Sequence, residues 1–383
     1  MTPLSILDLA PVTEDSSPAE ALRNTIDLAR KAEAAGYLRY WVAEHHFAPG
    51  VAASAPAVLI GAIAAATSRI RVGSGAVQLG HQTPAAVVEA FGTLSALYPG
   101  RIDLGLGRSG QRRTEERKRA ARRAASGEAP PPPEAKVIDG LLIPGKYSHS
   151  HLLTSPRPAV AARLLQQPGA QTPDFGDQVD DILAFLAGTW RSEDGITMET
   201  VPGTGSDAEV WILGSSGGQS ARVAGALGLP FAANYHVSPA TVLEAVSAYR
   251  DAFRPSSVLR RPHVLVSADV VVAPTDAEAR ELAAPYGLWV RSVRSGDGAM
   301  RFPSPATVAA EPWTDSDRAL VADRTSTQFA GSPASVAKQL RVLRDATGAD
   351  ELLVTTITGR HSDRVRSFEL LAREWSVEPR ERI

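Results

Sequence analysis

The sequence predicts an α/β protein in which eight parallel strands close into a (β/α)8 barrel. Eight short apolar segments alternate with longer segments of helical periodicity, and glycine, proline, serine or threonine stands at most boundaries between them. The chain has 383 residues, of which 44% are hydrophobic, so it can bury a large core. Alternation of eight strands with helices favours a closed barrel over an open doubly wound sheet.

The predicted strands occupy short stretches of strand length. In chain order they are Leu4–Leu9, Tyr40–Ala43, Ile70–Val72, Ile102–Leu106, Glu209–Leu213, Pro230–Ala233, Val264–Val272 and Glu351–Ile357. The predicted helices between and after them are Pro18–Ala35, Pro56–Thr67, Pro84–Leu97, Phe175–Leu186, a helix ending at Leu227, Pro239–Phe253, Asp276–Val290, Pro333–Ala346 and Ser362–Trp375. The first helix has the clearest start, because Ser17 and Glu20 form a capping box around Pro18.

Two long insertions interrupt this alternation within a predicted single domain covering residues 1–383. One spans about residues 108–206 after the fourth strand, and the other spans about residues 294–331 before the eighth helix. The first contains an arginine-rich run between Arg112 and Arg123. Insertions of this length typically act as lids or as walls of a substrate pocket.

Composition excludes several classes of function. Without cysteine the chain has no disulfide, no thiolate metal site and no cysteine nucleophile. The net charge of -2 argues against a dedicated nucleic-acid or membrane-surface protein. The arginine-rich run is interleaved with Glu115 and Glu116 and lacks aromatic residues, which favours a solvated helix or lid over a nucleic-acid site. With no signal peptide and no apolar run of membrane-spanning length, we expect a cytoplasmic protein.

Glu44, His45 and His46 stand where the second strand should end. Because side chains alternate along a strand, His45 should face the barrel mouth, while Glu44 and His46 point to helices or neighbouring loops. His45 could be a general base or proton relay titrating near neutral pH, or a hydrogen-bonded histidine that shapes the loop. No metal site is predicted, because adjacent histidines on a strand do not converge on one ion.

Glycine-rich turns follow the third and fifth strands. Gly73 to Ala76 would let a flat ligand approach the backbone closely. The turn Gly214 to Ser220 leads into a helix, where free N–H groups and serine hydroxyls could bind an anion together with Arg108. The alternative for this second turn is an ordinary helix start that needs glycine for tight turning.

These motifs, in their order and spacing, resemble the bacterial luciferase-like flavin-dependent monooxygenases. The resemblance runs through Trp41–Phe47, Arg71–Ala76, Thr83 with the helix after it, and Pro99–Arg108, and it resumes at Ile212–Pro230 and Gly331–Val354. The runs Leu4–Leu9 and Ile102–Arg108 are most similar to a bacterial subgroup linked to secondary metabolism. The resemblance implies a TIM barrel that binds FMN.

The resemblance also assigns expected roles. His45 would be the catalytic residue, and Gly75, Ala76 and Gly107 would lie against the isoalloxazine, with a cis peptide expected between Gly75 and Ala76. Arg108 and the turn residues would bind the phosphate; these turn residues are Ser215, Ser216, Gly217, Gln219 and Ser220. Glu44, Asn234 and Tyr235 are the expected substrate-pocket residues. Some luciferases have cysteine where this chain has Gly107, so light emission is not predicted.

The resemblance implies a monooxygenase that uses reduced FMN and O2, through a flavin C4a-hydroperoxide, to oxygenate a small organic substrate. A separate NAD(P)H-dependent flavin reductase would supply the reduced flavin, and a homodimer is expected. Two alternatives stay open: hydride transfer with the deazaflavin F420, and a non-catalytic flavin-binding protein. The substrate is left undetermined.

Overall fold

The computed structural model describes residues 2–108, 134–147, 157–296 and 298–376. Its strands are β1 Leu4–Asp8, β2 Arg39–Val42, β3 Arg71–Ser74, β4 Val77–Gln78, β5 Ile102–Gly107, β6 Lys136–Ile138, β7 Leu141–Ile143, β8 Glu209–Gly214, β9 Phe231–Asn234, β10 Val264–Val272, β11 Phe329–Gly331 and β12 Glu351–Thr355. Its helices are α1 Pro18–Ala35, α2 Pro56–Ala66, α3 Pro84–Leu97, α4 Arg157–Leu165, α5 Phe175–Ala187, α6 Gln219–Ala226, α7 Val242–Ala252, α8 Asp276–Ala283, α9 Tyr286–Ser295, α10 Pro305–Ala310, α11 Asp315–Thr325, α12 Pro333–Thr347 and α13 His361–Trp375.

Eight parallel strands form a closed ring, which confirms the predicted barrel. The hydrogen-bonded order is β1, β2, β3, β5, β8, β9, β10 and β12, and β12 pairs again with β1. Each of the eight predicted strands coincides with a ring strand to within two residues at either end. The alternation of apolar segments with helical segments therefore predicted every strand of the ring.

Local signals explain the first βα unit. Ser17 caps α1 by accepting from the Glu20 N–H, and the Glu20 carboxylate accepts from the Ser17 N–H at 2.7 Å, which is the predicted capping box. Gly36 ends the helix in the left-handed conformation with φ of 86°.

Glycine allows β3 and β5 to approach each other closely. A Cβ atom on Gly105 would lie 2.1 Å from the carbonyl oxygen of Ser74, and one on Gly73 would lie 2.4 Å from that of Asp103. A larger residue at either position would force these two strands apart.

Two helical predictions need correction. The helix predicted for Asp276–Val290 is two helices, α8 and α9, since Pro285 at the junction cannot continue the hydrogen-bond ladder. The helix predicted to begin at Pro239 opens as a 3-10 turn, Pro239–Thr241, before α7.

The insertions contain elements that the sequence did not predict. The first holds the antiparallel hairpin β6–β7 and helix α4, besides the predicted α5. The second holds α10, α11 and the short strand β11, which pairs with β10. The arginine-rich run lies outside the described residues. Among the described residues, no helix is long and apolar enough to span a membrane.

The amino end of the barrel is closed by a network of charges, in which Arg39, Asp103 and Glu351 are buried and Glu209 is exposed. The Arg39 guanidinium lies 2.9 Å from Asp103, 2.8 Å from Glu209 and 3.2 Å from Glu351. Arg71 donates through Nε to Asp103 at 2.8 Å. Each charge therefore has an opposite partner, as buried charges require.

Candidate active site

The predicted site residues gather at the carboxyl ends of β2, β3, β5, β8 and β9. In a parallel barrel these ends lie on one face, where the loops can build a binding site. The interior below this face is filled by Trp41 and Trp211, whose rings meet edge to face at 5.2 Å between centroids. The floor of the site is thus aromatic and packed.

The turn after β3 forms one wall of the barrel mouth. The peptide bond between Gly75 and Ala76 is cis, as the resemblance implies. The Gly75 N–H donates to the Val42 carbonyl at 2.8 Å, which holds the turn against the end of β2. A Cβ on Gly75 would lie 2.8 Å from Leu7, and one on Gly107 would lie 3.2 Å from Ala76. Glycine at both positions keeps this wall flat.

His45 lies beside that wall and is reached by solvent, while its backbone N–H donates to the Ala53 carbonyl at 2.8 Å. Burial among the surrounding protein atoms lowers the pKa of His45 to about 4, and His46 lowers it further. Because solvent reaches the ring, water weakens the effect of burial on this pKa. The lowered pKa favours the uncharged imidazole, which can accept a proton, whereas the sequence predicted titration near neutral pH.

Glu44 points away from His45 and is buried, with 4% of its surface exposed. Its carboxylate accepts from His46 Nε2 at 2.8 Å and from the backbone N–H of Gln78 at 2.9 Å. The Gln82 amide lies 3.5 Å from both carboxylate oxygens. The direction predicted from strand alternation is correct, but a buried and fully bonded carboxylate cannot line a substrate pocket in this conformation.

Arg108 reaches the turn after β8, as predicted. Its guanidinium donates to the Gln219 side-chain oxygen at 3.2 Å, and the Gln219 amide nitrogen donates to Asp174 at 2.7 Å. Arg108 is buried, with 9% of its surface exposed. The chain from Asp174 through Gln219 fixes the direction of the Arg108 side chain.

The turn itself opens α6 at Gln219. Gly218 is the N-cap and has no side chain to accept from the first helical N–H groups, so a bound anion could take that place. A Cβ on Gly218 would lie 3.3 Å from Arg108 Nη2. Thr241 donates to the Ser215 carbonyl at 2.5 Å, and Arg222 donates to the Gly217 carbonyl at 2.9 Å, which brace the turn from outside. Ser216 and the buried Ser220 complete it.

Asn234 and Tyr235, which are neighbours in the sequence, lie in different surroundings. The Asn234 amide nitrogen lies 3.4 Å from the Gly214 carbonyl, and its buried Oδ1 has no partner in the described part of the chain. Tyr235 is completely buried and donates to the Leu142 carbonyl at 2.6 Å. In place of the predicted contact with substrate, Tyr235 anchors hairpin β6–β7 from behind the site.

The sequence analysis missed His236, which follows Tyr235 and is partly exposed. Its Nδ1 lies 2.6 Å from the Ser267 hydroxyl, and its Nε2 makes no hydrogen bond within the described residues. Burial, then the charges of Arg324 and His45, lower the pKa of His236 to about 3. The signal that could have revealed this pair is Ser267, a buried polar residue in the otherwise apolar first half of β10.

Beyond Ser267 on the same strand lies a buried charged cluster. Asp269 accepts from Tyr286 and lies 3.4 Å from the Arg324 guanidinium, and Arg324 donates to the Tyr286 hydroxyl at 2.5 Å. Asp269 thus balances the charge of Arg324. The polar group that this side of the mouth exposes is the imidazole of His236. Among the described residues, no group of three His, Cys, Asp or Glu side chains could hold a metal ion.

A flat, phosphorylated cofactor fits this arrangement. The glycine wall accepts a plane, the uncapped start of α6 beside Arg108 accepts a phosphate, and the orphaned Asn234 Oδ1 could accept a ring N–H. Two surface depressions lie away from these groups, one on the outer face of α1 and α13 and one at the amino end of the barrel.

Comparison with known proteins gives a consistent result. A family model described as luciferase-like monooxygenase matches residues 2–129 and 154–351. A luciferase-like monooxygenase of Escherichia coli strain K12 is 35% identical over 366 residues, covering 96% of this chain and 95% of that protein. The crystal structure of apo-MsnO8 superimposes with a TM-score of 0.78 at 33% identity, covering 99% of this chain and 100% of the other.

A more distant structure shares the fold alone. It is a type II Baeyer-Villiger monooxygenase, the oxygenating constituent of 3,6-diketocamphane monooxygenase from Pseudomonas putida, in complex with FMN. Its TM-score is 0.61 at 20% identity, and it covers 98% of each chain.

Proposed function

Because the chain belongs to the luciferase-like monooxygenase family, we propose that it is a two-component enzyme that uses reduced FMN and dioxygen to oxygenate a small organic substrate. One observation carries the proposal. A helix start without a side-chain cap beside a buried arginine, and a glycine-lined turn near a histidine of lowered pKa, lie at the carboxyl ends of the barrel strands. A cofactor with a phosphate at one end and a planar ring at the other matches both features.

In this proposal the phosphate is bound by Arg108 and by the backbone N–H groups at the start of α6. A guanidinium matches phosphate geometry, and the helix dipole adds to the attraction. Ser215, Ser216, Gly217, Gln219 and Ser220 shape this half of the site, with Gln219 orienting Arg108. The ring lies against Gly75, Ala76 and Gly107, where no side chain blocks its approach.

Bound reduced FMN supplies the activation of dioxygen, and the protein supplies position, proton handling and a dry site. His45 accepts a proton at its imidazole, since its lowered pKa keeps it uncharged at neutral pH. Tyr235 donates to the Leu142 carbonyl and so holds hairpin β6–β7 against the end of β9. The Asn234 Oδ1 would accept from the cofactor ring, and His236 would present its Nε2 to a substrate on the side of β9 and β10.

Reduced flavin would come from a separate NAD(P)H-dependent flavin reductase, and the active form would be a homodimer. Both expectations come from the family resemblance. They are testable by reconstitution with an unrelated flavin reductase and by sedimentation of the purified chain.

The decisive experiment mixes the purified protein anaerobically with chemically reduced FMN and then adds isotopically labelled dioxygen. The substrate panel contains a long-chain aldehyde, a cyclic ketone and a thioether. We expect one labelled oxygen atom in a product that reduced FMN alone does not form. Tight FMN binding without any labelled product would instead indicate a flavin-binding protein, and anaerobic turnover with F420 would indicate hydride transfer.

A further inference from the structure

The buried carboxylate of Glu44 connects two loops of the site. Glu44 lies two residues past the end of β2, and its carboxylate accepts from the backbone N–H of Gln78 at 2.9 Å. The Gln78 side-chain amide in turn donates to the Glu44 carbonyl. The side chain of each residue is thus hydrogen-bonded to the backbone of the other, and these two bonds fix the distance between the two loops.

Gln78 belongs to the short strand that carries the ring-facing wall. Residues Val77 and Gln78 pair with Leu106 and Gly107 of β5, and they follow Gly75 and Ala76 directly. The Leu79 N–H donates to the Gly107 carbonyl at 3.1 Å. Through Gln78, Glu44 therefore joins the ends of β2, β3 and β5, which carry His45, the cis peptide and Arg108.

We propose that Glu44 is a positioning residue, whose carboxylate locks the segment Gly75–Gln78 to the end of β2 and so fixes the ring-facing wall beside His45. This inference rests on the proposed function, because it assigns the space along that wall to a flavin ring. Glu44 itself touches neither cofactor nor substrate.

The physical reason is the cost of an unmade hydrogen bond in a buried place. Without the carboxylate, the Gln78 N–H and His46 Nε2 lose their acceptor, and the segment must move to find water. A wall that samples several positions binds a rigid planar ligand more weakly, because binding must then order it.

The chain offers a matched control on the same strand. At the other end of β3, the Glu33 carboxylate accepts from the backbone N–H groups of Ser68, Arg69 and Ile70, at 2.9, 2.5 and 2.9 Å. Glu33→Ala removes at least as many backbone hydrogen bonds as Glu44→Ala, but at the amino end of the barrel. Comparing the two alanine variants separates the loss of the hydrogen bonds that hold segment Gly75–Gln78 from a general loss of stability.

The test measures the affinity for FMN, oxidised and anaerobically reduced, by fluorescence titration of the full chain. We expect Glu44→Ala to weaken binding about 10- to 100-fold, the equivalent of one or two lost hydrogen bonds. Glu44→Gln should stay within about threefold of wild type, because its amide oxygen can accept from the Gln78 N–H while its nitrogen donates to His46 Nε2 in the tautomer that carries the proton on Nδ1. Glu33→Ala should leave FMN affinity within about twofold.

A second readout does not require FMN. Hydrogen exchange of the ligand-free protein should accelerate in the peptide that covers residues 75–79 for Glu44→Ala, and not for Glu44→Gln or Glu33→Ala. Unchanged exchange there would overturn the positioning role, as would equal loss of FMN affinity in both alanine variants. A wild-type protein that binds no FMN would defeat the proposed function, while the exchange result still decides whether Glu44 fixes the segment.

Discussion

The two ends of the barrel use polar residues in opposite ways. At the amino end, the charged groups pair with one another: Arg39 with Asp103, Glu209 and Glu351, and Arg71 with Asp103. At the carboxyl end, Asn234 Oδ1 and Thr355 Oγ1 are buried with no partner among the described residues. The same strands supply both ends, so one end is committed to stability and the other keeps bonding capacity for a ligand.

Trp41 stands between the two ends and shows how they are separated. Its indole nitrogen donates to Asp103 at 2.8 Å on the amino side, and its ring lies 3.3 Å from the Cβ position of Gly75 on the carboxyl side. Burial raises the pKa of Asp103 although Arg39 and Arg71 oppose it. The aromatic layer therefore isolates the charged network from the mouth, and substitutions at one end should leave the other intact.

The largest expected effect is on turnover, from His45→Ala at the carboxyl end. Loss of a positioned base should lower product formation by about 10²-fold or more, while FMN affinity stays within about threefold. Labelled-product formation and fluorescence titration measure the two quantities. Unchanged turnover would remove His45 from the mechanism.

The next largest effect is on stability, from Arg39→Met at the amino end. Removing the guanidinium leaves the buried Glu351 without its arginine partner, while Asp103 keeps Arg71, which should cost about 3 kcal/mol. Thermal and denaturant unfolding should show this loss, whereas FMN affinity of the folded variant should not change. Arg373→Met, which removes an exposed pair with Glu369 at 3.7 Å, is the control and should cost less than about 0.5 kcal/mol. A weakened FMN site in Arg39→Met would show that the ends are not independent.

Arg108→Lys tests the phosphate half of the mouth. A lysine cannot bond Gln219 and a phosphate with the fork geometry of arginine, so FMN affinity should fall about 10-fold or more. Affinity for riboflavin, which lacks the phosphate, should remain unchanged in the same titration. Arg222→Lys, at an exposed arginine in the first turn of α6, serves as control. Equal losses for FMN and riboflavin would contradict a phosphate role for Arg108.

The smallest effect is the pH dependence that Glu33 adds at the amino end. Partial burial raises its pKa, but the backbone N–H groups of Ile70, Arg69 and Ser68 outweigh this and lower the pKa to about 2. A carboxyl whose pKa is lowered by folding stabilises the fold above its unfolded value of 4.5, and this contribution disappears as the pH falls toward 2.

Glu33→Gln should therefore lower the free energy of unfolding by about 1–2 kcal/mol at pH 7, after allowance for solvent screening. The difference from wild type should shrink as denaturant unfolding is repeated at lower pH, and it should nearly vanish close to pH 2. A constant difference at all pH values would mean that Glu33 stabilises the fold without its charge.

Features set by local sequence were predictable. The strand positions follow from apolar runs, and the start of α1 follows from Ser17, Pro18 and Glu20, because each signal acts within a few residues. The break at Pro285 was missed although proline signals it, and α10 and α11 were missed because helices with few buried residues carry a weak periodic pattern.

For the site, the sequence determined which residue types stand at the carboxyl ends of the strands, and strand alternation correctly sent Glu44 and His45 in opposite directions. The family resemblance located the cis peptide at Gly75–Ala76. The partners of these residues were decided only by the tertiary structure. Glu44 is hydrogen-bonded to Gln78, His236 to Ser267 and Tyr235 to Leu142. The two residues of each pair are separated by 34, 31 and 93 positions in the sequence, respectively. Such contacts depend on how the ring of strands closes, and a local pattern of residues cannot specify which distant residues come together.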